Sequence, residues 1–152
     1  MNEIYSEEYD IAIIGGGASA LYFAAYLSYL VSQKDKLSPS IVLFDTNKTL
    51  GKKLLLTGNG RCNLTNITIE SKDYNTDDYD RLSSVLNKHN SNDTINFFEN
   101  VIGIKTINRN ELIYPLTLKS STVTNGLVNY INESNITVKS NTKIVSLDFL
   151  SE

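Results

Sequence analysis

Apolar residues fall into short runs separated by polar stretches, and the spacing inside each run predicts its element. Residues 9–14, Tyr-Asp-Ile-Ala-Ile-Ile, end in a β-branched apolar run, as expected of a parallel strand buried on both faces. Ala20, Ala24, Leu27 and Val31 then recur at helical spacing, which predicts a helix over 19–32. After a polar connector, 33–40, that contains Pro39, the residues Ile41, Val42, Leu43 and Phe44 read as a second buried strand. In the second half, 69–80 is polar and carries Asp73, Asp77, Asp78 and Asp80, so it reads as an exposed loop. Leu82, Val85 and Leu86 suggest a short helix, and Ile95, Phe98, Val101 and Ile102 another. Residues 122–132 read as a longer helix, and 136–139 and 142–147 as two short strands around a turn at Asn141.

Between the first strand and its helix lies Gly15-Gly16-Gly17-Ala18-Ser19-Ala20, which fits G-x-G-x-x-G/A. Gly15 suits the tight turn, Gly17 removes a side chain where a pyrophosphate must approach, and Ala20 allows close packing of helix on strand. The N–H groups of Ala18, Ser19 and the residues that follow open the helix and can face phosphates. Asp45 ends the second strand, where an acid grips the ribose hydroxyls of an adenosine. A carboxylate there repels a 2′-phosphate, so it favours FAD or NAD over NADP.

Residues 51–66, Gly-Lys-Lys-Leu-Leu-Leu-Thr-Gly-Asn-Gly-Arg-Cys-Asn-Leu-Thr-Asn, form a second motif. Its glycines let backbone approach a ligand, Lys52, Lys53 and Arg61 add positive charge, and Asn63 and Asn66 add amides. This loop suits something anionic and flat.

The two motifs and Asp45 together resemble the N-terminal part of the HI0933-like flavoproteins, a family of NAD(P)/FAD-dependent oxidoreductases. The resemblance implies FAD at Gly15, Gly17, Ala18, Ser19 and Asp45. It puts Lys53, Thr57, Gly58, Gly60, Arg61, Cys62 and Asn63 near the pyrophosphate and flavin ring, and the adenine on the backbone near Ile144. Lys53 and Arg61 are the candidates for catalytic electrostatics at the flavin. The chain keeps the aromatic-Pro of a family element as Tyr114-Pro115, with Glu111-Leu112 in place of Gly-Arg. Family members are longer, so the chain is expected to be an N-terminal fragment.

The expected fold is α/β: a Rossmann-like, FAD-binding, three-layer fold with a parallel sheet, incomplete here, plus a small α+β extension. Residues 1–70 would form the βαβ core and flavin loop, 71–135 an extension covering the cofactor, and 136–152 strands returning to the FAD domain. The expected function is that of the FAD-binding part of an oxidoreductase, with NAD(P)H as reductant and hydride transfer to a conjugated double bond. The alternatives are a non-catalytic, truncated nucleotide-binding domain and a single Rossmann domain binding NAD.

Composition narrows the partners. Net charge is −3 with scattered charges, which gives no electrostatic footprint for nucleic acid in this segment. No apolar run approaches the roughly 20 residues of a membrane helix, and the first eight residues are acidic, unlike a signal peptide. A cytoplasmic location is expected, and the family resemblance implies a small-molecule or modified-base substrate. Cys62, the single cysteine, excludes a C-x-x-C redox pair and reads as a small residue packed beside the cofactor. His89 lies in a polar stretch without a second ligand type nearby and reads as a surface residue, and no metal site is expected.

Overall fold

β1 (Ile11–Ile14) and β2 (Ile41–Phe44) pair in parallel, with Ile11 opposite Ile41 and Ile14 opposite Phe44, in a computed structural model that describes residues 6–35 and 38–148. The outer ends of the expected first and third segments, and residues 36 and 37 of the connector, lie outside the described residues. Between the two strands runs α1 (Ala18–Ser32), which buries Leu21, Ala24 and Ala25. On the far side of β2, β6 (Ile136–Lys139) adds in parallel, with Ile41 opposite Ile136, giving the strand order β1-β2-β6.

By packing, the chain divides into two compact units, one made from the chain up to Lys52 and from Leu127 onward, the other from Lys53–Gly126. The expected segments divide it by role instead. The cut passes through the second motif and through α4 (Ser120–Asn132).

In the first unit, both crossovers step in the same direction along the sheet. Right-handed crossovers therefore put α1 and the end of α4 on one face, consistent with a cleft of about 360 Å³ that Ser28 and Val31 of α1 share with Tyr130 of α4. Ile13, Leu43, Leu127 and Ile131 are buried. Among the described residues no helix of this unit covers the opposite face. β1 is consequently not buried on both faces: Ala12 is exposed and Ile14 is 51 % exposed. On that open face Lys139 pairs with Glu7 and lies 5.8 Å from the centre of the Tyr9 ring.

The strand expected over 142–147 is absent. Past Asn141, whose φ is +53°, the chain does not fold back on β6. Instead the Asn141 and Thr142 amides donate to the Asn47 and Asp45 carbonyls at 3.1 and 2.9 Å. With no ladder to join, Val145 and Leu147 are 84 % and 68 % exposed.

The second unit is built on an antiparallel sheet of order β3-β5-β4: β3 (Thr65–Asn66), β4 (Thr106–Arg109) and β5 (Leu112–Pro115). Two α-helices precede the hairpin, α2 (Tyr79–Lys88), capped by Asp78, and α3 (Ser91–Asn96), closed by an Asn90/Asp93 capping box. The chain then continues into a single wide π turn, Phe97–Val101, which buries Phe97 and Phe98 edge to face at 5.9 Å. His89 ends α2 half-buried, its ring 3.5 Å from the Thr94 hydroxyl, and so is less exposed than its polar surroundings suggest. Gly126 lets α4 approach closely, since a Cβ there would meet Ile104 Cδ1 at 2.6 Å.

Candidate functional site

At the carboxyl end of β1 the chain turns sharply at Gly15, whose φ is +98° and whose amide donates to the Phe44 carbonyl at 2.7 Å. Gly16 is clamped on both sides. Its N–H donates to Asp45 Oδ2 at 2.5 Å, and its carbonyl accepts from the Gly51 amide at 2.7 Å. Gly17 is different. It caps α1 in an ordinary extended conformation, φ −78° and ψ −177°, and a Cβ built on it would meet nothing within 4 Å. Neither backbone nor packing asks for a glycine at Gly17, so the missing side chain leaves room for something outside the protein. No side chain caps this helix end, and Ala18 and Ser19 are exposed, so its first N–H groups are available to an anion.

Asp45 follows β2 directly and is half-buried. Oδ1 accepts from the Asn47 amide at 2.6 Å and from Asn47 Nδ2 at 2.9 Å. Burial pushes the Asp45 carboxyl up, but the N–H groups of Asn47 and Gly16 and the Asn47 carboxamide outweigh it and hold the group below its ordinary value. The acid is therefore ionised and pre-set beside the glycine turn. Ile144 lies half-buried in the irregular segment after Thr142 rather than on a strand.

The second motif takes a form its glycines did not suggest. Leu54–Gly60 is a 3-10 helix, in which the Thr57 hydroxyl donates to the Leu54 carbonyl at 2.7 Å. Ser120 Oγ donates to the Leu55 carbonyl at 2.8 Å and ties the helix to the start of α4. Positive φ values at Asn59, Gly60 and Cys62 then reverse the chain. Lys53, Thr57, Arg61 and Asn63 are exposed, and neither cation forms an ion pair with another described residue. Cys62 points inward and is 4 % exposed; burial pushes its thiol pKa up, partly offset by the Thr57 hydroxyl.

Gly15, Gly17, Ala18, Ser19, Asp45 and Ile144 thus belong to the first unit, and Lys53, Thr57, Gly58, Gly60, Arg61, Cys62 and Asn63 to the second. Sequence reasoning missed Asn47 and the clamp from Gly51 to Gly16. The Asp-x-Asn spacing at 45–47 was the available signal, since a polar side chain two residues after an acid can close a local turn on it. Among the described residues no group of three or more His, Cys, Asp or Glu side chains could hold a metal ion, and no helix is long and apolar enough to cross a membrane.

The family model described as the HI0933-like protein Rossmann domain matches residues 9–151. The 3-dehydro-bile acid delta(4,6)-reductase of Clostridium scindens is 33 % identical over 113 residues, covering 74 % of this chain and 26 % of its own length. The ribosomal RNA dihydrouridine synthase of Haemophilus influenzae is 35 % identical over 91 residues, covering 60 % of this chain and 20 % of its own. The chain therefore spans about a quarter or less of these curated relatives. Among solved structures, Thermovibrio ammonificans THI4 superposes with a TM-score of 0.51 at 13 % identity, over 87 % of this chain and 38 % of that one, a likeness of fold.

Proposed function

The chain belongs to the HI0933-like Rossmann-domain family, and from that premise we propose that it is the FAD-binding part of a flavin-dependent oxidoreductase, a reductase driven by NAD(P)H. One observation carries the reading: Gly17 faces open space in a conformation any residue adopts, beside a helix end that no side chain caps. Such a cradle suits a pyrophosphate. Gly15 makes the turn, Ala18 and Ser19 present N–H groups, and Asp45 takes the ribose of the adenosine. In this reading the backbone near Ile144 receives the adenine. Thr57, Gly58, Gly60, Cys62 and Asn63 belong to the flavin end, and Lys53 and Arg61 are the cations assigned to the flavin's electrostatics.

A bound flavin supplies hydride and electron transfer, while the protein orients it and adjusts its electronics. The relatives' names support a reaction class. A delta(4,6)-reductase and a dihydrouridine synthase both saturate a carbon–carbon double bond. Reduction of a conjugated double bond, on a small molecule or a modified base, is accordingly the activity we assign, in a cytoplasmic setting.

Purification with any downstream sequence tests the reading. A yellow protein that releases FAD on denaturation is expected. A folded, colourless protein that binds NAD instead would overturn it in favour of a single NAD-binding domain.

A further inference from the structure

The Asp45 carboxylate has about four acceptor positions, two on each oxygen. Three are taken: both on Oδ1, by the Asn47 amide and Nδ2, and one on Oδ2, by Gly16. A ribose offers two neighbouring hydroxyls, and the acid has one position left. Because one N–H of Asn47 Nδ2 donates to a carboxylate, the orientation of that amide is settled by chemistry, and Asn47 Oδ1 is directed elsewhere as an acceptor. The side chain is exposed. Its backbone is fixed independently, since the Asn47 carbonyl accepts from Asn141, the Asp45 amide donates to Lys139 and the Asp45 carbonyl accepts from Thr142.

We propose that Asn47 is the second ribose-reading residue of the nucleotide site: Asp45 Oδ2 accepts one hydroxyl of the adenosine cis-diol and Asn47 Oδ1 accepts the other. This rests on the reading of a nucleotide site at the Gly15 to Gly17 turn. It makes the pair a detector of two free hydroxyls, because a phosphate on either oxygen would remove a hydroxyl donor and bring its negative charge against the ionised Asp45 carboxylate.

The test is titration of the chain with ADP, 2′-deoxy-ADP and 3′-deoxy-ADP, in the wild type and in Asn47→Ala. In the wild type, loss of the hydroxyl taken by Asn47 should weaken binding on the order of 3–10-fold, and loss of the one taken by the ionised Asp45 on the order of tenfold or more. In Asn47→Ala one of the two penalties should fall to about 1 while the other persists. A purely structural role for Asn47 would lower affinity for all three nucleotides alike and leave both penalties, and that result overturns the proposal. A wild type that binds ADP but penalises neither analogue overturns it too. A folded wild type that binds none of the three removes the nucleotide site itself. Should Asn47→Ala not fold, Asn47→Ser keeps the backbone N–H, shortens the side chain and reads the same ratios.

Discussion

The Gly16 amide donates to Asp45 Oδ2 at 2.5 Å, and a Cβ added to Gly16 would lie 2.9 Å from that same oxygen and 2.5 Å from Leu50 Cδ2. The middle glycine of the turn, a free position in the G-x-G pattern, is therefore the one that packing demands. Gly16→Ala should destabilise the protein by about 1–3 kcal/mol through overpacking. Gly17→Ala should leave stability within about 0.5 kcal/mol, yet weaken nucleotide binding. Urea denaturation and ADP titration of the two variants check the contrast, and equal stability losses would show that the space beside Gly17 is not open.

Asp45 also makes a pH prediction. Its carboxyl pKa is depressed in the folded protein, since the N–H donors of Asn47 and Gly16 outweigh burial. The stability it contributes is fully present above the unfolded value of about 3.9 and is lost as pH falls through the lower folded value. The stability difference between wild type and Asp45→Asn should therefore be largest at neutral pH and shrink below about pH 4. Denaturation at pH 7, 5 and 3 measures it. A difference independent of pH would mean the charged carboxylate contributes nothing at this turn.

Arg61 and Cys62 are neighbours in sequence with opposite environments. Arg61 is exposed and unpaired among the described residues, whereas Cys62 is 4 % exposed with its thiol pKa raised by burial. Arg61→Ala should shift stability by less than about 0.5 kcal/mol. Cys62 should react with a thiol reagent at pH 8 at least roughly tenfold more slowly in the native protein than in denaturant, because a buried thiol is both protonated and inaccessible. Rapid native labelling would instead place the thiol at the surface.

The elements legible in the sequence are those whose signal is local. The β1 run, the Gly15 turn, the periodicity of α1 and the β2 run needed only neighbouring residues. What escaped depends on partners far along the chain or on unusual backbone. Residues 142–147 have strand composition, but the amides of Asn141 and Thr142 bond to the 45–47 backbone and draw the chain away from a hairpin. The β4–β5 hairpin was hidden because its turn uses Asn110 and Glu111 where glycine is the usual signal. At the candidate site, Asp45 could be read from its place after β2, whereas Asn47 reads as loop composition until its two bonds to the acid are seen.

That hairpin turn yields a prediction of its own. Arg109 pairs with Leu112 across a two-residue loop in which Asn110 and Glu111 have φ of +51° and +70°, the type I′ form that favours Asn-Gly. Asn tolerates this region, but a Glu there costs roughly 1–2 kcal/mol. Part is recovered because Glu111 Oε2 lies 2.9 Å from the Thr68 hydroxyl, whose one proton it shares with Asn66 Oδ1 at 2.9 Å, an exposed contact that links the turn to the chain just after β3. Glu111→Gly relieves the strain, keeps the backbone bond from residue 111 to Asn108 Oδ1, and loses only the Thr68 contact and some unfolded-state entropy. It should stabilise the protein by about 0.5 kcal/mol. Glu111→Ala keeps the strain and loses the contact, so it should fall below wild type by about 0.5 kcal/mol. Urea midpoints should rank Gly above Glu above Ala. If Gly ranks below Glu, the Thr68 contact outweighs the backbone strain and holds this turn in place.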